Sequence, residues 1–265
     1  MTTPSLPAKR NWLGLILVGV AVGIASGLFG VGGGIIIVPA LVYLLAYDHR
    51  VASGTSLLAI VIPAVVGVVS YGLRGDVDYL LALLLAVGSI VGAPIGAWLL
   101  KRLEKRIVQI VFICFLVIVI VTLFLVVPSR DAEVHLNLLS GALIVLVGLV
   151  AGIAGGLLGI GGGVIVVPAL VLLFGASDLV AKGTSLLMII ATGLSGTVAN
   201  IRHRNVDTVG ALTLGIVAGV VTPFSVWLST VMSPFAANVT FSVFLVLIII
   251  RMIWDVRSQR GGGNK

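Results

Sequence analysis

The chain carries one stretch twice: residues Gly19–Val42 read GVAVGIASGLFGVGGGIIIVPALV, and residues Gly148–Val171 read GLVAGIAGGLLGIGGGVIVVPALV. The copies align without a gap at an offset of 129 residues, the difference between positions 148 and 19. The same offset places Gly54–Leu58 over Gly183–Leu187. Apolar composition alone would not keep glycines, prolines and a Thr-Ser pair in one register. The sequence therefore predicts two copies of one unit.

The composition is that of a membrane protein. Of 265 residues, 60% are hydrophobic and 9% charged, and the mean hydropathy is +1.29, whereas about a quarter of the residues in a soluble domain are charged. The runs Leu80–Leu100 and Ile107–Val127 contain no charged residue and match the roughly 20 residues that a helix needs to cross a bilayer. The net charge of +7 lies in short connections, which indicates membrane topology and not nucleic-acid binding.

Each unit offers five apolar segments, so the fold class is an all-α polytopic membrane protein. The segments are 12–30, 34–47, 52–72, 78–100 and 106–127 in the first unit, and 137–159, 163–175, 180–200, 208–230 and 237–255 in the second. The predicted divisions are a cytoplasmic tail 1–11, a first repeat 12–127, an extracytoplasmic loop 128–137, a second repeat 138–255 and a cytoplasmic tail 256–265. Because five is odd, a tandem repeat would invert the second copy in the membrane.

Basic residues give an independent prediction of topology, since cytoplasmic connections are rich in Lys and Arg. Lys9–Arg10, Lys101–Arg106, Arg202–Arg204 and the C-terminal tail all fall on one side, which places both termini in the cytoplasm of a bacterial inner membrane. Lys9–Arg10 before an apolar stretch also resembles a secretory signal. That interpretation is rejected, because cleavage would remove the first copy of the repeat.

The second segment of each unit is too short for a full crossing. About a dozen helical residues extend about 20 Å, against a hydrocarbon core of about 30 Å. The sequence therefore favours a re-entrant hairpin, or a broken pair of helices, whose glycine-rich tip lies within the membrane.

Two glycine patterns have different interpretations. Gly19, Gly23 and Gly27, with their equivalents in the second unit, repeat every four residues, a spacing typical of close helix packing. The tracts Gly30–Gly34 and Gly159–Gly163 should instead end a helix, because glycine costs a helix about 1 kcal/mol relative to alanine. Pro39 and Pro168 are then expected to start or kink the following short segment; neither tract has the ending of a P-loop.

Irregular backbone at membrane depth is tolerated where it faces protein or a watery cavity, and free N–H groups at a helix N-terminus bind anions. Hydroxyls of the two Gly-Thr-Ser motifs either cap the third segments or coordinate an oxyanion, and Lys182 supplies charge where the first copy has Ser53. The candidate substrate-binding residues are Gly32, Gly33, Gly34, Gly54, Thr55, Ser56, Gly161, Gly162, Gly163, Lys182, Gly183, Thr184 and Ser185. Valine at Gly33 or Gly162 is expected to abolish transport while leaving the protein folded.

Other chemistry finds little support in the sequence. Asp78 and Asp207 each begin a helix, where a carboxylate stabilises the N-terminus. Cys114 is expected to be a packing residue, and His49, His135 and His203 lie in connections. No cofactor, metal site or catalytic group is expected, and no carboxylate is clearly buried, so proton coupling, sodium coupling and passive transport stay open.

The doubled Gly-x-Gly-Gly-Gly…Val-Pro element, followed in each half by Gly-Thr-Ser-Leu-Leu, resembles the TauE/SafE family of sulfite exporters. The residues that carry this resemblance are Gly30–Pro39 with Gly54–Leu58 in the first unit, and Gly159–Pro168 with Gly183–Leu187 in the second. The resemblance implies a secondary transporter, an exporter, of a small anion such as sulfite, sulfoacetate or another organosulfonate. A transporter of another small ion or metal would need carboxylates, His, Met or Cys inside segments, and a membrane assembly factor would need only surfaces.

Overall fold

The computed structural model describes residues 11–99, 137–201 and 205–261, together with seven positions between 110 and 121. The described elements are all helical: α1 Trp12–Phe29, α2 Gly34–Tyr43, α3 His49–Ala59, α4 Val61–Gly72, α5 Tyr79–Leu99, α6 Leu138–Leu158, α7 Gly163–Phe174, α8 Asp178–Ile201, α9 Thr208–Val231 and α10 Pro234–Gly261. The predicted all-α fold is confirmed. The 1–10 tail, the 128–136 loop and most of the predicted segment 106–127 lie outside the described residues.

Seven elements of the described chain are long and apolar enough to span a membrane, with α3 and α4 counted together. The helices α2 and α7 have only 10 and 12 residues, too few to cross the hydrocarbon core. The short second segments are therefore confirmed as elements. Cys114, expected in the packed interior, is exposed.

The helices of the two units correspond at the same offset, with one difference. Residues 49–72 form α3 and α4, whereas the equivalent residues 178–201 form the single helix α8. Pro63 lacks an N–H and its ring crowds the carbonyl of Ala59, so α3 ends at Ala59. The second unit has Thr192 at this position, and its Oγ1 donates to the Met188 carbonyl at 3.1 Å.

The units pack crosswise, because the first helix of each lies along the helix of the fourth segment of the other: α1 lies along α9, and α6 lies along α5. The α1–α9 and α5–α6 pairs form the two most extensive helix contacts of the described chain. A Cβ built on Gly23 would lie 2.5 Å from the Ala218 carbonyl oxygen, and one on Gly152 2.6 Å from the Ser89 carbonyl oxygen. The predicted close packing along these glycines is confirmed.

These contacts are reciprocal: Gly23 and Gly152 are equivalent positions, and so are Ala218 and Ser89. Two identical surfaces that meet around a two-fold axis produce this pattern. How the two units are oriented in the membrane stays a prediction.

Candidate functional site

Both glycine tracts adopt the same backbone. Gly30, Gly32 and Gly33 have φ of 68°, 70° and 74°, and Gly159, Gly161 and Gly162 have φ of 72°, 76° and 85°. Only glycine takes this left-handed conformation readily, so the tracts end α1 and α6 and allow α2 and α7 to begin at Gly34 and Gly163. Pro39 and Pro168 lie inside the short helices. Of the two roles expected for these prolines, that of starting the helix is wrong, because the glycines already provide the turn. The expected kink stays a prediction.

The two tracts touch each other in the protein interior. A Cβ on Gly34 would lie 2.7 Å from the Gly159 carbonyl oxygen, and one on Gly163 would lie 2.8 Å from the Gly30 carbonyl oxygen. Residues 30–34 and 159–163 are all buried. The two breaks, 129 residues apart in sequence, therefore form one continuous region of irregular backbone.

Side chains have no room at the tips of these breaks. A Cβ on Gly33 would lie 2.6 Å from Val22 Cγ1, and one on Gly162 would lie 2.5 Å from the Ala151 carbonyl oxygen. Valine at either glycine would force α1 or α6 away from its tract. This geometry argues against the expectation that such variants stay folded, and that expectation stays a prediction.

Four backbone N–H groups at the breaks have no acceptor among the described residues. The carbonyl of Gly33 accepts from the Ile36 and Ile37 N–H groups, whereas the N–H groups of Gly32 and Gly33 donate to no acceptor in the described part of the chain. The same holds for Gly161 and Gly162. Buried N–H groups in native proteins almost always have partners, so these four are available to a ligand that carries acceptors.

Each tract is covered by a stripe of side chains from the third segment of the other unit. The first stripe is Ser53 and Ser56 of α3 with Ile60 directly after that helix, and the second stripe is Lys182, Ser185 and Ile189 of α8. Helical spacing of three and four places each set on one face. Ser56 Oγ donates to the Gly159 carbonyl at 2.7 Å. A Cβ on Gly159 would lie 2.7 Å from Ser53 Oγ, and one on Gly30 2.6 Å from Lys182 Cα.

Two hydroxyls of these stripes have no hydrogen-bond partner among the described residues. Ser53 Oγ and Ser185 Oγ are buried and unbonded, and the two residues are 1% and 0% exposed. Ser56, the equivalent of Ser185, is bonded as described above. A buried polar group without a partner costs about 1–3 kcal/mol, and the hydroxyls of Ser53 and Ser185 carry this cost in the ligand-free protein.

The threonines of the Gly-Thr-Ser motifs have a different environment. The predicted capping role is wrong, because α3 begins at His49 and α8 at Asp178, more than a turn before the motifs. Thr55 Oγ1 accepts from the Asp207 N–H at 2.9 Å, and Thr184 Oγ1 accepts from the Asp78 N–H at 3.0 Å. Adjacent helical residues point about 100° apart, so the serines face the tracts while the threonines face the other unit. Thr55 binds the start of α9, and Thr184 binds the start of α5.

The glycines of these motifs share the environment of the threonines. Gly54 packs against the Asn205 backbone, and Gly183 against the Asp76 backbone. Thr55, Thr184, Gly54 and Gly183 thus join the units, and the structure does not bring them against the glycine tracts.

Lys182 forms a buried ion pair that the sequence analysis missed. Its Nζ lies 3.1 Å from Asp178 Oδ2 and donates to Ser229 Oγ at 3.0 Å. Lys182 is 5% exposed and Asp178 is 4% exposed. The expectation that no carboxylate is buried is therefore wrong, and the available signal was the spacing of four between Asp178 and Lys182.

The ion pair lies at the C-terminal end of α1. Ser229 Oγ donates to the Leu28 carbonyl at 3.3 Å, and the Tyr71 hydroxyl donates to the Gly27 carbonyl at 2.7 Å. These are carbonyls of the last helical turn, which have no partner within the helix, and a cation is favourable beside them. The Lys182 ammonium is thus held by protein groups on one side of the tracts.

Asp78 and Asp207, which precede α5 and α9, differ in their hydrogen bonds. Asp78 Oδ1 accepts from the Leu80 and Leu81 N–H groups at 3.0 Å, which confirms its predicted position at a helix N-terminus. Asp207 precedes α9 without such a bond from its side chain. Its Oδ2 accepts from the Tyr47 hydroxyl at 2.8 Å, and the residue is 3% exposed.

A groove of about 920 Å³ lies between α5 and α8, away from the tracts. Its walls are almost wholly apolar, and Ser195 Oγ is bonded to the Ile90 carbonyl. The lining residues are Tyr79, Ala82, Leu83, Ala86, Ile90, Pro94, Leu187, Ile190, Ala191, Leu194, Ser195, Val198 and Ala199. None of these is a candidate site residue, and such walls offer an anion nothing to bind.

Buried helix breaks within a bundle of apolar helices are features of a multi-pass membrane protein. A family model described as "Sulfite exporter TauE/SafE" matches residues 2–123 and 144–265. The chain belongs to this family.

Relatives agree with that assignment. The chain is 28% identical over 223 residues to "Probable membrane transporter protein YunE" of Bacillus subtilis. The matched residues cover 76% of this chain and 82% of that protein. It is 29% identical over 245 residues to a "Probable membrane transporter protein" of Xylella fastidiosa, with 88% and 91% covered. No solved structure matches the chain. The relatives are named as transporters, not as enzymes.

Proposed function

We propose that this protein is a secondary transporter, working as an exporter, of a small sulfur-containing anion such as sulfite, sulfoacetate or another organosulfonate. It acts by alternating access in the bacterial inner membrane, with both termini in the cytoplasm and the two units inverted. The observation that carries the proposal is the pair of touching glycine breaks, where four buried N–H groups and two buried hydroxyls lack partners in the described chain.

The chemistry of these groups suits an oxyanion. Sulfite and sulfonate groups present three oxygen acceptors, and the breaks offer N–H and O–H donors. The helices α2 and α7 both begin at the breaks, so the positive ends of two helix dipoles face the same region. A small anion would be bound from both units at once.

The contacts favour an anion over a cation or metal. Lys182 is the buried cation beside the tracts, and Asp178 neutralises it. The described residues hold no group of three or more His, Cys, Asp or Glu that could bind a metal ion. An anion gains direct attraction to Lys182 when its ammonium leaves Asp178.

Crosswise packing supplies a route for alternating access. Each tract belongs to one unit and its covering stripe to the other. Rocking one unit against the other would therefore separate a tract from its stripe on one side of the membrane while the equivalent interface stays closed.

The equivalent serines allow a test of the site with a built-in control. Ser185→Ala removes a buried hydroxyl without a partner, so we expect the thermal stability of the ligand-free protein to rise. The affinity for sulfite should fall about tenfold or more, the effect of losing a hydrogen bond to a charged group. Ser56→Ala removes the bond to Gly159 and should lower stability by about 1 kcal/mol. Flux of sulfite and sulfoacetate into liposomes and thermal unfolding measure both effects.

Two results would contradict the proposal. Wild-type protein that moves none of sulfite, sulfoacetate, thiosulfate or sulfate would refute the substrate class. Unchanged sulfite affinity in the Ser185→Ala variant would refute the assignment of the site.

A further inference from the structure

Two isoleucines lie between the glycine tracts, and each contacts both. A Cβ on Gly32 would lie 3.1 Å from Ile189 Cδ1 and 3.7 Å from Ile60 Cβ. A Cβ on Gly161 would lie 2.6 Å from Ile60 Cδ1 and 3.3 Å from Ile189 Cγ2. Both isoleucines are 0% exposed. They fill the region where the tracts meet.

The isoleucines also complete the two stripes. Ile60 lies four residues after Ser56, and Ile189 four residues after Ser185, so each is one helical turn beyond a serine on the same face. They are equivalent positions of the repeat. Each stripe begins with polar side chains and ends with an isoleucine, and the isoleucine lies at the level of Gly32 and Gly161.

We propose that Ile60 and Ile189 form an apolar constriction that closes the site between the glycine tracts and sets the size of the anion that passes. The inference rests on the proposed function for the nature of the solute. An anion held by the N–H groups and serines cannot gain from contact with these side chains, because apolar surface does not replace its hydration. The anion passes when the two isoleucines separate. Because β-branched side chains have few rotamers, the isoleucines cannot open the constriction by rotamer changes alone.

The two halves of the constriction have different backbones. Ile60 lies at the junction of α3 and α4, three residues before Pro63. Ile189 lies within the continuous helix α8, where Thr192 replaces the proline. The junction lets Ile60 shift with less loss of helical hydrogen bonding, since the bond that Pro63 would donate is already absent. Ile60 is therefore the moving half and Ile189 the fixed half.

Selectivity among anions of increasing size tests the constriction. Truncating Ile189→Ala should raise the transport of benzenesulfonate relative to sulfite by about tenfold or more, because pocket size discriminates by that order for each group removed. The matched control is Ile190→Ala, which removes the same atoms from the adjacent residue that lines the apolar groove. If Ile189→Ala does not fold, Ile189→Val should give a smaller shift in the same direction.

Thiol labelling tests the same position without reference to a substrate. In a Cys114→Ser background, the Ile60→Cys and Ile189→Cys variants should react with the membrane-impermeant reagent 2-sulfonatoethyl methanethiosulfonate from either side of the membrane. An Ile190→Cys variant should react less than the Ile189→Cys variant, because Ile190 lines the almost wholly apolar groove and not the region between the tracts.

The outcomes separate the constriction from the proposed substrate. If the Ile189→Cys variant reacts from neither side, or no more than the control, the constriction is refuted whatever solute the protein moves. An unchanged ratio of benzenesulfonate to sulfite in both Ile189 variants also refutes it. Labelling from both sides with no sulfur-anion flux in wild type supports the constriction and refutes the substrate class.

Discussion

At the residue scale, some equivalent positions of the repeat carry different side chains, and two such pairs bear on the surroundings of the glycine breaks. Ser53 corresponds to Lys182, and His49 corresponds to Asp178. The ion pair therefore exists in one unit only, beside the end of α1. A symmetric backbone thus holds an asymmetric set of charges.

The Lys182–Asp178 pair leads to a prediction on stability and transport. Lys182→Met leaves a buried carboxylate without its cation, which should lower the free energy of unfolding by about 3–5 kcal/mol. The double variant Lys182→Met with Asp178→Leu removes both charges and should restore most of this loss. Thermal unfolding in detergent measures the two effects.

The same double variant decides the role of the lysine. If its ammonium moves from Asp178 to the substrate, the folded double variant should bind sulfite about tenfold or more weakly, since a charged hydrogen bond is lost. Full wild-type affinity in that variant would show the pair to be structural and would remove Lys182 from the proposed site.

At the element scale, the third segment differs most between the units. The first unit divides it at Ile60 into α3 and α4, and the second keeps it whole as α8. Thr192 can donate both its N–H and its hydroxyl within the helix, and the hydroxyl bonds the Met188 carbonyl. Pro63 can donate neither. The division of the first unit's third segment therefore coincides with the missing donor at Pro63, whereas Pro94 leaves α5 undivided.

Replacing the proline should stiffen that junction. Pro63→Ala supplies an N–H for the Ala59 carbonyl, so we expect a higher unfolding temperature and slower flux with sulfite affinity unchanged. The matched control is Pro94→Ala, since Pro94 lies inside the unbroken helix α5. Faster or unchanged flux in the Pro63→Ala variant would argue against a moving junction.

At the scale of the whole molecule, the reciprocal packing of the units supports the proposed inversion. Thr55 binds the start of α9, and Thr184 binds the start of α5, in equivalent geometry. Two units related in this way present the same surface to each other. The five segments predicted for each unit are an odd number, and on that prediction the second copy would run opposite to the first.

Topology reporters test the inversion directly. Fusions at the N-terminus and after Lys265 should both report the cytoplasm, and a thiol label in the loop 128–137 should react only from outside. The physical reason is the basic residues of the predicted cytoplasmic connections. Termini on opposite sides would refute the inverted arrangement.

The sequence by itself determined the helical membrane fold, the duplicated unit, the glycine breaks and the short helices after them, because these depend on composition, period and the backbone properties of glycine. It also indicated the serines and Lys182, which local pattern makes visible. The predicted third segment of the second unit begins at residue 180, whereas the helix begins at Asp178. Asp178 was therefore missed.

Only the tertiary structure decided which unit covers which break. Crosswise packing of α1 on α9 and of α5 on α6 brings Ser53 to Gly159 and Lys182 to Gly30, and a helix face has no partner until its neighbours are placed. The same packing turns Thr55 and Thr184 toward the opposite unit and puts Ile60 and Ile189 between the tracts. These are contacts across more than 100 residues of sequence, and no local pattern encodes them.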